Sequence, residues 1–431
     1  MITKFAIKNF RTHRDTEIEL GPLTLLIGSN NSGKTNLLSA LRHFSLVVAL
    51  GRPDTGDSPP ESDDKEPLRA TNAGQQSLRH HNLFPHRHRL SGDDEPMSFR
   101  CEWKRKSGKG NYLIELYKDE SLPNQVGCRE RIIVETTGAG SPRTFESGWE
   151  RRVDWPSLQT QIRAEGLPKN QMELVSTLFR DLAQCYAYHL QPSFLKGRSS
   201  GDLGHSLEDP VRIPRDLGYE GSGLQPLLKT ISERERRTFD GFLTFMRRFE
   251  PSFHGVRFDE HRKELLWEFD IGREPPGLEQ FRPDVVSDGL LRAAAIALLC
   301  AMHNPPSLIL LEEIEDGISQ MNIGRFLGWL RKAAGKPDAQ DKGYRTQFLV
   351  TSHSPSVLRD FADHLEDAYS VRLDSRGYRS VVTNLNESLA YLVDLGGADG
   401  ETTERDGKKI VRIPPYELVE LWYRGTIGGE R

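Results

Sequence analysis

One stretch of the chain carries residue types at the spacing that phosphate binding requires. Residues 28–35 read Gly-Ser-Asn-Asn-Ser-Gly-Lys-Thr and satisfy G-x-x-x-x-G-K-[ST] at every fixed position. Glycines let a backbone curl so that successive N–H groups point at one anion, and a following helix presents its positive end there. In such a loop Lys34 reaches the β- and γ-phosphate oxygens and Thr35 holds Mg²⁺. The motif therefore predicts a site for a nucleoside triphosphate with Mg²⁺.

The elements on both sides of this loop fit the same prediction. Residues 23–27 form an apolar run that indicates a buried strand. After the loop, apolar residues repeat at helical spacing, namely Leu37, Leu38, Leu41 and Phe44. Strand, glycine-rich loop and helix make a P-loop. A chance glycine loop on an ordinary strand–helix turn is the alternative. The residues expected to contact the nucleotide here are Gly28, Asn30, Asn31, Ser32, Gly33, Lys34, Thr35 and Asn36.

Three further groups of residues can do chemistry on a bound triphosphate. Ser287 and Gly289 stand at a helix start, where a hydroxyl and N–H groups can grip an anion, with a simple N-cap as the alternative for Ser287. Glu312 and Glu313 end an apolar strand, and alternation turns one toward Mg²⁺ and the other toward an attacking water. His353 follows another strand, where an imidazole can bind the γ-phosphate; a structural cap is its alternative.

Composition limits the class of protein. The chain has 431 residues, 28% of them charged, with a mean hydropathy of −0.57 and no run of 18 apolar residues, so no membrane span is expected. Its start, MITKFAIKNF, lacks the apolar core of a signal peptide. Four cysteines lie far apart without metal-ligand spacing, which indicates a reducing, cytoplasmic location. The net charge of −4 gives no general attraction to nucleic acid, although a local basic face can exist.

The order of these motifs resembles that of RecF/SMC/OLD-type ATPases, a branch of the ABC-ATPase heads. The opening carries the resemblance in residues 8–13 (K-N-F-R-T-H) and in the strand that leads into the P-loop. Residues 286–292 (V-S-D-G-L-L-R) resemble the family signature L-S-D-G-T-L-R, and residues 219–224 (Y-E-G-S-G-L) resemble its middle part. The resemblance covers roughly 1–50 and 283–375 well, and the middle loosely.

The resemblance implies roles for residues on both sides of the nucleotide. Arg11 lies near the nucleotide, unless it is a surface arginine in a hairpin turn. Gln191 leaves a core strand and joins the Mg²⁺ shell, although a glutamine before proline at a strand end is commonplace. Glu312 takes the metal role, Glu313 polarises the water, and His353 is the H-loop histidine.

The signature and the residues after the acids imply a shared site. In the family, Ser287 and Gly289 grip the γ-phosphate of ATP held by another subunit, and Asp316 contacts the partner across the dimer. The sequence departs from the family pattern E-E-P-E-N-G-L-H-P here, because Ile314 replaces the proline and Ser-Gln at 319–320 replaces His-Pro. That departure weakens the prediction for Asp316.

The predicted fold is α/β, an ABC-ATPase-like P-loop NTPase head with an antiparallel β-layer and a helical insertion. The predicted parts are a P-loop ATPase core in two halves (1–50 and 280–395), a mobile loop insertion (51–97), the β-layer (98–150), a helical lid or insertion (151–279) and a tail (396–431). The hairpin tip of Lys104, Arg105, Lys106 and Lys109 can contact phosphates, with a solvated turn favoured. For His80, His81, His86 and His88 a metal site is the minor alternative to a polar, DNA-facing loop.

These inferences predict an ATPase that uses ATP and Mg²⁺ and forms an ATP-held homodimer or larger homo-oligomer. No TOPRIM-like nuclease segment and no long heptad run occur in the sequence, so we expect a separate effector protein. The resemblance implies that this effector is a nuclease and that the pair serves in antiphage defence. A RecF-like clamp that binds DNA under ATP control is the main alternative. A transporter ATPase is disfavoured by the RecF-like opening.

Overall fold

The computed structural model forms two compact units. Unit 1 comprises Met1–Cys185, Pro306–Leu308 and Phe361–Arg431, and unit 2 comprises Tyr186–Pro305 and Ile309–Asp360. The structure describes residues 1–427 except 51–86, 89–90, 93–94, 119–125, 138, 148–149, 153–161, 163–166, 198–216, 262–263, 273–276, 304, 335–345, 375–377 and 406. Most of the predicted mobile insertion, including His80, His81 and His86, therefore lies outside the described residues.

The described elements are runs of one to five strands separated by helices. The first half contains β1 (Ile2–Phe10), β2 (His13–Glu19), β3 (Leu23–Ile27), α1 (Lys34–Leu50), β4 (Met97–Arg105), β5 (Gly108–Lys118), β6 (Val126–Thr136), β7 (Ala139–Glu146), β8 (Glu150–Arg152), α2 (Lys169–Ala183), β9 (Cys185–Tyr188) and α3 (Pro192–Leu195). The next part contains α4 (Leu224–Arg234), α5 (Arg236–Phe249), β10 (Phe253–Asp259), β11 (Glu264–Asp270), β12 (Leu278–Phe281) and α6 (Asp288–Ala301). The last part contains β13 (Leu308–Leu311), α7 (Gln320–Ala334), β14 (Gln347–Ser352), α8 (Pro355–Arg359), β15 (Ala368–Asp374), β16 (Arg379–Asn384), α9 (Leu385–Asp394), β17 (Glu401–Arg405), β18 (Lys408–Arg412) and α10 (Pro415–Tyr423).

Unit 1 contains the predicted antiparallel β-layer and the P-loop strand. The layer has the order β2-β1-β4-β5-β6-β7, with β8 paired to β6. Strand β3 pairs in parallel with β15, which pairs antiparallel with β16. All five residues of β3 are buried, as its apolar run predicts. The P-loop lies between β3 and α1, so the predicted strand–loop–helix order and the α/β fold class are confirmed.

An aromatic cluster fixes α1 on this layer. The ring of Phe44 on α1 lies 5.7 Å from Phe5, 6.1 Å from Phe99 and 5.7 Å from Tyr112, measured between ring centroids. All four side chains are buried. Burying each such side chain stabilises the fold by roughly 1.5–3 kcal/mol. This packing holds α1, the helix that follows the P-loop, against the β-layer.

The basic hairpin tip between β4 and β5 is partly neutralised. Arg105 forms a 2.7 Å ion pair with the buried carboxylate of Asp181, which also accepts from Trp103 Nε1 at 2.9 Å. Lys109 pairs with Glu135 at 3.0 Å. Two of the four basic residues are therefore engaged within unit 1, and the geometry favours the solvated turn over a phosphate-binding tip.

Unit 2 holds the second set of motifs. It contains strands in the order β14-β13-β9 and a separate sheet, β10-β11-β12. Only the first residues of β9 and β13 belong to unit 1. The alternating pattern of Phe253–Ile271 predicts a hairpin, which β10 and β11 confirm. Apolar residues at three- and four-residue spacing over Leu224–Phe249 predict a single helix, and this prediction is wrong. The backbone breaks at Glu235 (φ −124°, ψ 65°), whose carboxylate accepts from the Thr238 hydroxyl at 3.0 Å, and two helices result.

The C-terminal part docks on its own unit. From the sequence, the apolar face of Leu418, Leu421 and Trp422 can dock on the domain or on a partner. All three side chains are buried on α10, which belongs to unit 1, so this face docks on the domain. The hairpin of β17 and β18 was not predicted; the Asn386 side chain on α9 holds it through Lys409 O and Val411 N. In the described part of the chain, no helix has the length and apolar character needed to cross a membrane.

Candidate nucleotide and metal site

The P-loop is curled as phosphate binding requires. Gly33 has φ +107°, a backbone conformation that residues other than glycine rarely adopt, and Asn31 has φ 62°. A Cβ atom on Gly28 would lie 2.0 Å from Val371 O, and one on Gly33 would lie 2.0 Å from Ser380 Oγ. Both glycines are therefore required by the packing of this loop against β15 and β16, and Gly33 is required by its positive φ as well.

Side chains from other elements hold the carbonyl groups of the loop. The Ser380 hydroxyl donates to Ser32 O at 2.7 Å, and His13 Nε2 lies 3.0 Å from Gly33 O. Since a carbonyl only accepts, His13 Nε2 carries the proton, and Nδ1 accepts from the Thr16 hydroxyl at 3.0 Å. With both carbonyls engaged, the curl of the loop is fixed by contacts distant in sequence.

The donors of the loop fit a phosphate group and its metal ion. The Ser32 hydroxyl is buried, at 1% exposure, and has no hydrogen-bond partner among the described residues. Lys34 Nζ donates to Gly28 O at 2.6 Å and Ser29 O at 2.8 Å, which keeps its charge at the loop. Thr35 is exposed at the first turn of α1. An orphaned hydroxyl, an ammonium group and a helix N-terminus match the oxygens of a polyphosphate, and the Thr35 hydroxyl is a ligand that Mg²⁺ accepts.

The remaining P-loop candidates and Arg11 lie around this curl. Asn30 and Asn31 are exposed on the loop. Arg11, with φ 48°, donates to Asn36 Oδ1 and Ser39 Oγ of α1, both at 3.1 Å. The structure thus places Arg11 in the turn between β1 and β2, with its side chain against the first turns of α1.

The buried His13 makes the loop sensitive to acid. Burial lowers the pKa of His13 from 6.5 to about 4. Between pH 6.5 and pH 4, His13 is therefore protonated in the unfolded chain and neutral in the folded chain. The free energy of unfolding falls as the pH drops through this range, by up to about 3 kcal/mol. Gln at position 13 keeps an N–H donor without the titration.

We therefore expect His13→Gln to retain its stability at pH 5 better than the wild type does. Urea unfolding at pH 7.5 and pH 5 measures the difference, with the half-buried His364→Gln of unit 1 as the control. His88 leaves part of the acid sensitivity in place, because burial also lowers its pKa. An equal loss of stability in wild type and His13→Gln would contradict the assignment.

The two predicted acids end β13 in different environments. Glu312 is 7% exposed, and its Oε1 accepts from the Tyr219 hydroxyl at 2.7 Å. Glu313 is half-buried and has φ 48°, a strained conformation for a residue other than glycine. Burial, followed by the hydrogen bond and negative charge of Asp316, raises the pKa of Glu313. The strain and the raised pKa are typical of a carboxylate poised to accept a proton.

Arg292 is a site residue to which sequence reasoning gave no role, although it ends the signature pattern. Its buried guanidinium donates to Leu190 O and Glu312 O, each at 3.1 Å, and to Glu313 O. It also lies 3.7 Å from the Asp316 carboxylate. Arg292 therefore ties the signature helix α6 to the ends of both β9 and β13.

Glu315 is a second residue that the sequence did not reveal. Its Oε1 accepts from the Ser352 hydroxyl and the His353 backbone N–H, both at 2.7 Å, and lies 3.2 Å from His353 Nδ1. His353 is thus contacted at its backbone N–H and at its ring by one carboxylate oxygen, while the residue stays exposed. The glutamate was visible in the sequence, but its partner lies 38 residues away.

The signature residues occupy the start of α6 as predicted. Ser287 caps the helix, its Oγ accepting from Leu290 N at 3.4 Å, so the N-cap alternative is observed. The side chain is exposed, which leaves it able to meet a ligand as well. A Cβ on Gly289 would lie 2.4 Å from Gly317 O, so this glycine also has a packing role beside Asp316.

The two predicted metal residues of unit 2, Gln191 and Glu312, have backbones that are linked through Arg292. The Gln191 N–H donates to Glu220 O at 3.0 Å. The preceding carbonyl, Leu190 O, and the Glu312 carbonyl both accept from Arg292. Within the described ranges, no group of three or more His, Cys, Asp or Glu side chains could hold a metal ion. Of the four histidines considered for metal binding, only His88 is described, and it is buried.

Two family models match the chain. The "AAA ATPase domain" matches residues 1–50, and the "AAA domain, putative AbiEii toxin, Type IV TA system" matches residues 193–359. The first range contains Arg11 and the P-loop, and the second contains the signature, both acids and His353. The matches therefore cover the two motif-bearing parts.

Known proteins match shorter parts of the chain. A chromosome partition protein Smc from Clostridium kluyveri is 30% identical over 178 residues, covering 39% of this chain and 14% of that protein. An OLD nuclease from Thermus scotoductus is 44% identical over 41 residues, covering 10% of this chain and 8% of that protein. The SMC head domain from Thermotoga maritima has a TM-score of 0.39 and 14% identity, covering 89% of this chain and 98% of that chain. The chain thus matches only a small share of the length of these Smc and OLD proteins.

Proposed function

We propose that this chain, an SMC/OLD/RecF-like ABC-type ATPase by its motifs and family matches, is a switch ATPase whose ATP-held dimer controls a separate effector. The family matches support nucleotide binding and ATP hydrolysis in general. The observation that carries the proposal is the P-loop, which is curled around an ammonium group and an orphaned buried hydroxyl.

The residues of this chain divide the work of hydrolysis. Lys34 and the P-loop N–H groups would bind the phosphates, and Thr35 would be a ligand of Mg²⁺. Glu312 and Gln191 are the predicted metal-shell residues of unit 2. Mg²⁺, when bound, neutralises the charge that develops on the phosphate oxygens. Glu313 accepts a proton from the attacking water, because its raised pKa makes it a better base than an ordinary glutamate. His353 contacts the γ-phosphate from the position that Glu315 gives it.

The dimer is inferred from the signature helix. Ser287 lies exposed at the N-terminus of α6, where a hydroxyl and N–H groups suit an anion. In the proposal this anion is the γ-phosphate of ATP bound at Lys34 of a second copy, with Arg11 near the nucleotide and Asp316 at the contact between subunits. Hydrolysis loosens the dimer, and the effector responds to that change.

Nucleotide binding is tested by Lys34→Ala. The phosphates lose the cation of the P-loop, so we expect ATP affinity to fall by roughly 100-fold, the upper end of the range for charged hydrogen bonds. Isothermal titration with ATP and Mg²⁺ measures it. Lys8→Ala is the matched control, because Lys8 is an exposed lysine of the same unit that pairs with Asp15 at 3.3 Å. Equal affinity in both variants would refute the P-loop assignment.

The effector is the part of the proposal that rests on similarity alone. The match to an OLD nuclease supports a nuclease-like partner, while the role in antiphage defence rests on the family resemblance. Affinity purification of the native complex with and without ATP tests it. A partner with nuclease activity whose association changes with ATP is expected; salt-sensitive, ATP-stimulated DNA binding without any protein partner would favour a DNA clamp instead.

A further inference from the structure

The segment around Tyr219 lies beside the end of β9 and has no part in the mechanism above. Its carbonyl groups extend the pairing of that strand, since His189 N donates to Tyr219 O at 2.8 Å and Gln191 N donates to Glu220 O at 3.0 Å. The Tyr219 ring also stacks on His189, with 6.3 Å between ring centroids. Tyr219 is thus fixed by its backbone and its ring next to the predicted magnesium-shell residue Gln191.

The Tyr219 hydroxyl reaches the metal-facing acid. It donates to Glu312 Oε1 at 2.7 Å. The backbone of Glu312 is held on both sides, because its N–H donates to Tyr188 O at 2.9 Å and its carbonyl accepts from Arg292 at 3.1 Å. The terminal torsion of a glutamate is broad, so a fixed backbone does not orient the carboxylate. A hydrogen-bond donor to one of its oxygens orients the carboxylate.

We propose that Tyr219 is a positioning residue that orients the Glu312 carboxylate toward the metal ion, a role that rests on the proposed ATPase function. A phenol hydroxyl donates a hydrogen bond that a carboxylate oxygen accepts. The Tyr219 hydroxyl holds Oε1 of Glu312 and thereby sets the direction of Oε2. The next residue, Glu220, accepts from the Gln191 N–H, so one segment contacts both predicted metal-shell residues of unit 2.

The test uses the full-length chain and Mn²⁺ as the probe for the metal. We expect Tyr219→Phe to weaken Mn²⁺ binding to the ATP-loaded protein by roughly 10- to 100-fold, as removal of outer-shell hydrogen bonds does elsewhere. Electron paramagnetic resonance of free Mn²⁺ measures this affinity without any turnover. ATP binding in EDTA should stay unchanged, because the hydroxyl contacts the acid and not the phosphates.

Controls separate positioning from folding. Tyr219 is 37% exposed and Phe keeps the ring, so we expect the same melting temperature as the wild type; Tyr391→Phe, a tyrosine 68% exposed on α9, is the matched control. In a Glu312→Gln background, Tyr219→Phe should add little further loss of Mn²⁺ affinity, since the two residues act through one contact. A full additional loss there would mean that Tyr219 acts elsewhere and would overturn the proposal.

The outcomes also distinguish the two proposals. If the wild type binds Mn²⁺ with ATP and Tyr219→Phe binds it equally well, the positioning role is wrong and the ATPase proposal stands. If the wild type binds ATP but no Mn²⁺ is taken up with it, both the metal role of Glu312 and the role of Tyr219 are refuted.

Discussion

Glu313→Gln should keep ATP binding and lower the turnover number by roughly 10²-fold or more, the loss expected when a general base is removed. The amide cannot take the proton of the attacking water, while the P-loop and the metal residues are untouched. Phosphate release under saturating ATP and titration with ATP measure the two properties separately. Glu233→Gln, an exposed glutamate on α4, is the control. Normal turnover in Glu313→Gln would make Glu312 the next candidate for the base.

The pH profile gives this prediction a second, independent readout. Because a protonated Glu313 cannot act as a base, and burial and Asp316 raise its pKa, the acid limb of wild-type turnover should lie above pH 4.5. Asp316→Asn removes the negative charge and weakens that effect, so the limb should move to lower pH. A limb that does not move would mean that a different group controls the acid side.

The sequence was sufficient where the chemistry is local. A P-loop is written in consecutive residues, since the glycines that permit its curl stand beside the lysine and threonine that bind the ligand. The two acids and His353 follow apolar runs, and strand ends are visible in hydropathy. The motif order predicted an SMC/OLD/RecF-like ABC-type ATPase, and the family matches and relatives confirm this. The roles of the site residues and the domain boundaries stay predictions.

The sequence was insufficient where a residue acts through a distant partner. His13 and Ser380 hold neighbouring carbonyls of the P-loop from positions 20 and 348 residues away, and Tyr219 holds an acid 93 residues away. Nothing in the local pattern of these residues indicates such a contact. Each was visible as a residue type, but its role depends on tertiary structure.

Two elements were missed or merged for a different physical reason. Buried positions on α4 and α5 continue in one helical phase across the break, from Ile231 to Thr238 and Phe242, so periodicity could not reveal the turn at Glu235. Strand β17 reads Glu-Thr-Thr-Glu-Arg with no alternating apolar residues, because it lies mostly exposed. A hairpin that buries so little leaves no hydrophobic pattern.

Mixing Lys34→Ala chains with Ser287→Arg chains should restore hydrolysis that neither variant has alone. In the shared-site mechanism Lys34→Ala cannot bind ATP, and Ser287→Arg blocks the contact with ATP held by the other copy. A mixed dimer has one site in which Lys34 and Ser287 are both wild type and one in which both are changed. Since half of the dimers in an equal mixture are mixed, activity should reach up to about a quarter of the wild-type value in a two-fold dimer.

The loss of the helix cap has to be separated from the loss of the shared contact. Ser287 caps α6, so Ser287→Arg costs roughly 1 kcal/mol of stability in addition to its effect on the dimer. Asn384→Arg is the matched control, because Asn384 caps α9 in the same way, its side chain accepting from Glu387 N at 3.3 Å. That variant should lose comparable stability and keep its ATPase activity.

Sedimentation with ATP decides what a failed mixture means. If mixed dimers form but hydrolyse nothing, the two sites work only as a pair; if no mixed dimers form, the subunits do not exchange. In the shared-site mechanism the wild-type rate per subunit rises with protein concentration, because each site needs residues of two chains. A wild-type protein that stays monomeric with ATP, and hydrolyses it at a rate per subunit that concentration does not change, would rule the mechanism out. Lys34 and Ser287 would then have to act in separate events.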